Sequence, residues 1–221
     1  MKKFYAINGS PRTNWNTAQL LEKALEGARD AFPNEEVITE QINLYDLSYT
    51  GCQSCFACKR KGGSSYGKCA IKDDLNDILE KILESDGVIV GSPIYFRNVT
   101  GQLHSFFERL LFPYVVYSED RTGIQDKQIP FAFIYTMNVT KEVFDGDNYK
   151  AFIGMWESFS DRFFGFAGHH YAFNTYQFDD YDKYVSDAFS EPDKATYKEK
   201  NWEADCNAAY QLGKKLLVYP K

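Results

Sequence analysis

Cys52, Cys55 and Cys58 recur at three-residue intervals in GCQSCFACKRKGGSSYGKC, residues 51–69, and Cys69 follows after a gap of ten residues. The first three are too close along the chain for more than one strained disulfide among them. Four thiolates match the ligand type and number of a 4Fe-4S cluster. The gap is rich in glycine and serine, and closing a loop a few residues longer costs only a fraction of a kcal/mol, so its length permits ligation. Zinc takes the same ligands, but its sites usually pair two C-x-x-C units and no second one is present. Redox thiols, or thiols that only pack, satisfy the same spacing. For protein prepared in air the expectation is a loop without iron; the cluster on Cys52, Cys55, Cys58 and Cys69 and the zinc staple stand beside it.

Two further stretches carry ligand-binding residue types. GSPRTNWNT, residues 9–17, gathers the hydroxyls of Ser10, Thr13 and Thr17, the amides of Asn14 and Asn16, and the guanidinium of Arg12 ahead of a helical pattern. Such donors, with the free N–H groups that open a helix, suit a phosphate dianion. Neither the Gly-Lys-Ser/Thr ending of a triphosphate loop nor the GxGxxG dinucleotide turn is present. The plainer reading is a helix capped by Asn16 or Thr17 under a solvated loop. GSPIYFRNVTGQL, residues 91–103, follows an apolar run with Pro93, Ile94, Tyr95, Phe96 and Asn98. A flat apolar wall with one carboxamide fits a planar heteroaromatic ring with polar edges. Its plainer reading puts Tyr95 and Phe96 in the core at a strand end.

The elements around these stretches decide whether they meet. Strands are expected at residues 2–7, 35–44, 87–96, 128–138 and 169–178, from short apolar or β-branched runs. Helices are expected at 18–32, 73–85, 100–112, 148–166 and 201–219, where apolar residues recur at helical spacing, as with Leu75, Ile78, Leu79 and Ile82. Asp73 and Asp74 are favourable at the N-terminus of the second helix. Strands alternating with helices predict an α/β fold, a parallel sheet with helices on both faces, and one domain over residues 1–221 with a cysteine loop and an aromatic-rich C-terminal region. Ligands of such sheets bind beyond the carboxyl ends of the strands, where both loops would lie. The polar, tyrosine-rich region 179–196 reads as either a surface excursion or a partner contact. Aromatic residues between 144 and 184 exceed what a small core needs, so part of them covers a ligand or forms a subunit contact.

Composition excludes several classes. A formal net charge of −6 with only CKRK locally basic argues against a nucleic-acid partner. No stretch approaches the roughly 20 apolar residues of a membrane span. Five cysteines and an apolar run of only four residues (4–7) before Asn8 lead one to expect a reduced, cytoplasmic protein. His169-His170 reads as a surface pair, Cys206 as a buried structural thiol and CKRKGG as a solvated loop.

GSPRTNWNT, C-x-x-C-x-x-C with GKCAIKDDL, and GSPIYFRNVTGQLHSFFERL resemble the NADPH-dependent FMN reductase and iron-sulfur flavoprotein group of flavodoxin-like proteins, from residue 1 to about residue 138. The resemblance implies a doubly wound five-stranded sheet in the order 2-1-3-4-5 that binds FMN. Ser10, Arg12, Asn14, Asn16 and Thr17 would hold the phosphate. Pro93, Ile94, Tyr95, Phe96 and Asn98 would border the isoalloxazine, and Thr136, Met137 and Asn138 would close the site. Trp15 stands where the resemblance leads one to expect a small residue. The implied reaction is hydride transfer from NAD(P)H to the flavin, then electron transfer to a small-molecule or protein acceptor, with no side chain strictly catalytic. A homodimer or larger homo-oligomer is expected, with Trp156, Phe163, Phe164, Tyr176, Tyr181 and Tyr184 as surplus aromatic surface. The alternatives are an iron-sulfur electron carrier and a zinc-stapled binding module without redox activity.

Overall fold

The computed structural model describes residues 1–119, 124 and 127–216. The expected end of the last helix at 217–219 lies outside the described residues. Strands β1 (Lys2–Asn8), β2 (Val37–Asn43), β3 (Gly87–Pro93), β4 (Phe131–Thr136) and β5 (Phe166–Ala172) form one sheet in the order β2-β1-β3-β4-β5. Every neighbouring pair is parallel. The chain runs outward from β1 to β2 and then crosses back to β3, so the order reverses between β1 and β3. That reversal leaves a crevice beyond their carboxyl ends. β3 and β4 lie inside the sheet and are buried on both faces, which explains their unbroken apolar runs.

The two faces are packed differently. On one, Tyr5, Val88, Val90, Phe131, Phe133 and Tyr135 meet α2 (Leu75–Glu84), α3 (Gly101–Leu111) and α5 (Tyr149–Phe163) in an aromatic layer. Phe107 and Trp156 stack there with ring centroids 4.8 Å apart. On the other, Phe4, Ala6, Ile89, Ala132 and Ala172 meet α1 (Asn16–Asp30) and α6 (Glu191–Lys215). Small residues bring these two helices into backbone contact. A Cβ on Gly27 would lie 2.0 Å from the Tyr210 carbonyl oxygen, and one on Gly213 would lie 1.8 Å from that of Ala24.

The structure corrects several expectations. β5 begins at Phe166 and ends at Ala172, because Phe166 and Gly168 pair with Phe131 and Ala132 across a register shift, and Asn174 (φ +47°) then turns the chain away. α6 begins at Glu191, where the Ser190 hydroxyl accepts from the Asp193 N–H at 3.3 Å and Pro192 occupies the first turn. The polar excursion is shorter to match. A short helix, α4 (Lys141–Gly146), was not expected. Trp15, without a side-chain cap, precedes α1, so Asn16 and Thr17 are its first residues and not its cap. Trp156, Phe163, Phe164 and Tyr181 are buried and belong to the core instead of a surplus surface. Cys206 is half-buried against the α1–α6 layer. His169 pairs with Glu157 at 3.0 Å and His170 with Asp205 at 3.1 Å. Among the described residues no helix is long and apolar enough to cross a membrane.

Candidate functional site

A cavity of about 550 Å³ opens beyond the carboxyl ends of β1, β3 and β4. The loop after β1 and the start of α1 supply Ser10, Arg12, Asn16 and Thr17 as one wall. Pro93, Ile94, Tyr95 and Phe96 form a second wall after β3, and Thr136, Met137 and Asn138 a third after β4. Asn14 and Asn98 do not line it. The Asn14 carbonyl accepts from Gln19 Nε2 at 2.9 Å, and Asn98 Oδ1 accepts from Val99 N at 2.8 Å and Trp156 Nε1 at 3.2 Å.

Local chemistry fixes the first wall. The Gly9 N–H donates to the Gly91 carbonyl at 2.8 Å. A side chain at Gly91 would meet Leu21 Cδ1 at 2.7 Å and Thr17 Cγ2 at 2.8 Å, so glycine there lets α1 lie close to β3. Asn8 Oδ1 accepts from the Ser10 N–H at 3.0 Å and Ser10 Oγ from the Arg12 N–H at 3.1 Å, two successive turns that curl the loop. Thr17 and Thr136 share a hydroxyl hydrogen bond of 2.8 Å that joins the first wall to the third. With no cap and no acidic residue in its first turn, α1 presents N–H groups without a side-chain acceptor to its N-terminal side.

The second wall is a tight hairpin. Tyr95 and Asn98 exchange backbone hydrogen bonds of 2.9 and 3.0 Å, and Phe96 and Arg97 between them have φ of +50° and +66°. This is the two-residue turn geometry that glycine and asparagine favour, built here without glycine. Arg97 pairs with Asp147 and lies over the Tyr149 ring. Phe96 is fully exposed and Tyr95 half exposed, so neither is a core aromatic.

Trp15, Val139, Tyr149, Thr175, Tyr176, Gln177 and Phe189 complete the lining. Trp15 binds the 176–177 segment: its Nε1 donates to the Tyr176 carbonyl at 3.2 Å, beside Asn16 Nδ2 at 3.0 Å, while Arg12 Nη1 donates to Gln177 O at 2.6 Å. A large residue in this loop therefore has a structural use, as a strap to the C-terminal region. The density of aromatics after residue 144 is the sequence signal for this wall, since Tyr149 and Tyr176 come from it.

The cysteine loop behaves differently. Cys58 is buried, Cys52 and Cys69 are half-buried and Cys55 is exposed, all as free thiols. Burial pushes the Cys58 thiol up; Lys59 opposes this and the charges of Cys69, Cys52 and Cys55 add to it. Among the described residues no group of three or more His, Cys, Asp or Glu is arranged to hold a metal ion. Cys69 Sγ accepts from Arg109 Nε at 2.9 Å. Lys59 is not solvated: its ammonium donates to the carbonyls of Phe112, Pro113 and Val115, closing the loop over the end of α3.

Comparison with known proteins agrees with this geometry. The family model for NADPH-dependent FMN reductases matches residues 2–138. An iron-sulfur flavoprotein of Methanocaldococcus jannaschii is 41% identical over 107 residues, 48% of this chain and 51% of that protein. One from Archaeoglobus fulgidus is 37% identical over 107 residues, 48% of each. The chain spans about half the length of the curated relatives it matches. Among solved structures, an NAD(P)H:quinone oxidoreductase from Methanothermobacter marburgensis superposes with a TM-score of 0.67 at 17% identity, over 100% of this chain and 99% of that one, which shows the shared flavodoxin-like fold. Because the family match covers more than half of the sequence and takes in all three strand-end walls of the cavity, the chain belongs to the family of NADPH-dependent FMN reductases.

Proposed function

We propose that the cavity binds FMN and that the protein is an FMN-dependent NAD(P)H oxidoreductase acting on a small-molecule or protein electron acceptor. The observation that carries this is the convergence of three strand-end loops on one cavity, with anion donors on one wall and flat aromatic surface on another. Bound FMN supplies the ring that accepts hydride from nicotinamide. Arg12, Ser10, Asn16, Thr17 and the open N-terminus of α1 suit its phosphate. Tyr95 and Phe96 offer faces to its ring and exclude water from one side. Asn138 Oδ1 is buried and has no partner, a costly state that an N–H on the edge of a bound ring would relieve. The chain is read as one FMN-binding unit, in a reducing cytoplasm that its free thiols suit.

The cysteine loop is read as a loop of reduced thiols; the second reading, a cluster on Cys52, Cys55, Cys58 and Cys69, is favoured by the relatives named iron-sulfur flavoproteins. A homodimer is part of the first reading. It is supported by Phe152, Met155 and Phe159, which are exposed along one stripe of α5, and by Phe96 at the mouth of the cavity. Light scattering at micromolar concentration should report a dimer or a larger assembly, and a monomer would overturn that part.

The test is purification followed by acid release of cofactor. Yellow protein that releases FMN and is bleached anaerobically by NADH or NADPH is expected. Colourless protein that takes up no FMN at micromolar concentration would overturn the reading.

A further inference from the structure

Lys194 lies in the first turn of α6, beyond the part of the chain that matches the family, and is 1% exposed. Its Nζ donates to the Asn138 carbonyl at 3.0 Å, to Asn174 Oδ1 at 2.9 Å and to the Thr175 carbonyl at 3.2 Å. An ammonium has three donors, and here three neutral acceptors fill them, with no carboxylate among them. Burial alone pushes its pKa down to about 8, so it keeps its proton at neutral pH. A buried charge balanced only by dipoles is costly, and its field is screened little by the surrounding protein.

Its neighbours are the cavity walls. Asn138 follows β4 and Thr175 follows β5, and both line the cavity. Phe189, another lining residue, has its ring 5.3 Å from Nζ. The same two loops are joined by the Thr175 N–H to the Met137 carbonyl at 2.9 Å and by the Asn174 N–H to the Val139 carbonyl at 2.8 Å. Lys194 is the charged member of this seam, one layer of backbone behind the space where the cofactor is placed.

We propose that Lys194 is a positioning and charge-setting residue of the cofactor cavity: it ties the third wall to the loop after β5, and its charge makes the cavity favour the reduced, more negative form of the flavin. This rests on the assignment of the cavity to FMN. A hydrogen-bonding clamp without an electrostatic role would need the donors but not the net charge, and the two are separable at Asn174. Aspartate has nearly the shape of asparagine, tolerates the φ of +47° found there, and would set a carboxylate oxygen where Oδ1 now accepts from Nζ. Asn174→Asp therefore keeps the clamp and cancels the charge.

The experiment measures FMN affinity by fluorescence quenching, the two-electron midpoint potential by anaerobic dye titration, and the urea midpoint, for the wild type, Asn174→Asp, Lys194→Gln and Lys194→Arg. Asn174→Asp should bind FMN and unfold at the same or higher urea, while its preference for reduced over oxidised FMN falls about tenfold, a midpoint potential lower by about 30 mV. Lys194→Gln should shift in the same direction, and Lys194→Arg should stay near the wild type. An unchanged potential in FMN-loaded Asn174→Asp would overturn the proposal and leave Lys194 a clamp. Wild-type protein that takes up no FMN would instead overturn the cavity assignment, and this proposal with it.

Discussion

The cavity and the cysteine loop are both built from residues with evident chemistry, and they organise those residues in opposite ways. The cavity draws side chains from Ser10 to Phe189, far apart in sequence, onto shared walls. The loop holds its thiols within residues 51–69, yet leaves one buried, two half-buried and one exposed. The difference lies in what carries each residue. Cavity residues sit at the ends of parallel strands whose register is fixed by buried neighbours, such as Val90 beside Phe133 and Gly91 beside Ile134. Thiols in the loop are carried by turns with Ser54 and Phe56 at positive φ and by a short helical turn at Ala57–Lys59. Closeness along the chain is thus a weaker guide to a working constellation than attachment to the sheet.

Within the loop, Cys69 is the thiol with a rigid neighbour, and removing that neighbour should have the largest effect on the molecule. Arg109 is 1% exposed and spans Asp73 with hydrogen bonds of 2.7 and 3.0 Å, besides reaching Thr50 O and Cys69 Sγ. Burial works against the Asp73 carboxylate, but hydrogen bonding and charge from Arg109 outweigh it and hold its pKa below the usual carboxylate range. Breaking such a pair from one side costs about 3–5 kcal/mol. Arg109→Ala should lose about that much in urea unfolding. Because the folded pKa of Asp73 is depressed, the wild-type contribution should be complete above about pH 4, fade as pH falls below it, and be absent from the variant. A loss under about 1 kcal/mol would show that the loop is not anchored through Arg109.

A smaller effect, confined to binding, is expected on the cavity side. Arg12 and Asn16 reach the 176–177 backbone from an exposed or half-buried position, so the double change Arg12→Ala, Asn16→Ala should move the unfolding free energy by no more than about 1 kcal/mol. A hydrogen bond to a charged group is worth roughly 1.5–3 kcal/mol, so FMN affinity should fall about 10- to 100-fold in a fluorescence titration. Unchanged affinity would place the phosphate on another wall and remove the contrast with the loop.

How far each region could be read from sequence follows the same division. The alternation of strands and helices is legible because inner strands such as β3 and β4 show unbroken apolar runs, whereas the order β2-β1-β3-β4-β5 is what the family resemblance implies. The walls after β1 and β3 are legible from their residue types and that at the end of β4 through the resemblance, whereas the Tyr149, Thr175, Gln177 and Phe189 contributions are not. They come from a region whose only signal is aromatic density, and density does not distinguish Trp156, which packs on Phe107, from Tyr176, which lines the cavity. β5 starts earlier than expected because Phe166 reads as the last residue of the preceding helix, and strand pairing through Phe166 and Gly168 is a tertiary choice. α6 was cut short because EPDKATYKEK buries only Lys194 among its ten residues, so no apolar period marks that helical segment. The residue that most directly links α6 to the cavity was hidden by being a lysine.

The smallest effect is expected at Cys55, and it bears on the loop alone. Cys55 is exposed, and Cys58 is buried with its thiol pushed up. Thiolate is the reactive form, so iodoacetamide should label Cys55 well before Cys58, as peptide mapping over a time course would show. Cys55→Ser should change unfolding by less than about 0.5 kcal/mol and leave FMN content unaltered. Protein prepared in air should carry FMN without iron, because a ten-residue gap separates Cys69 from the other three thiols and Arg109 already holds its sulfur. Anaerobic reconstitution with iron and sulfide is the sharper form of the experiment. If the wild type then holds about four iron atoms per chain and Cys55→Ser loses them, the loop closes around a cluster, its flexibility serves ligation, and the protein becomes an electron carrier whose second centre the sheet does not build.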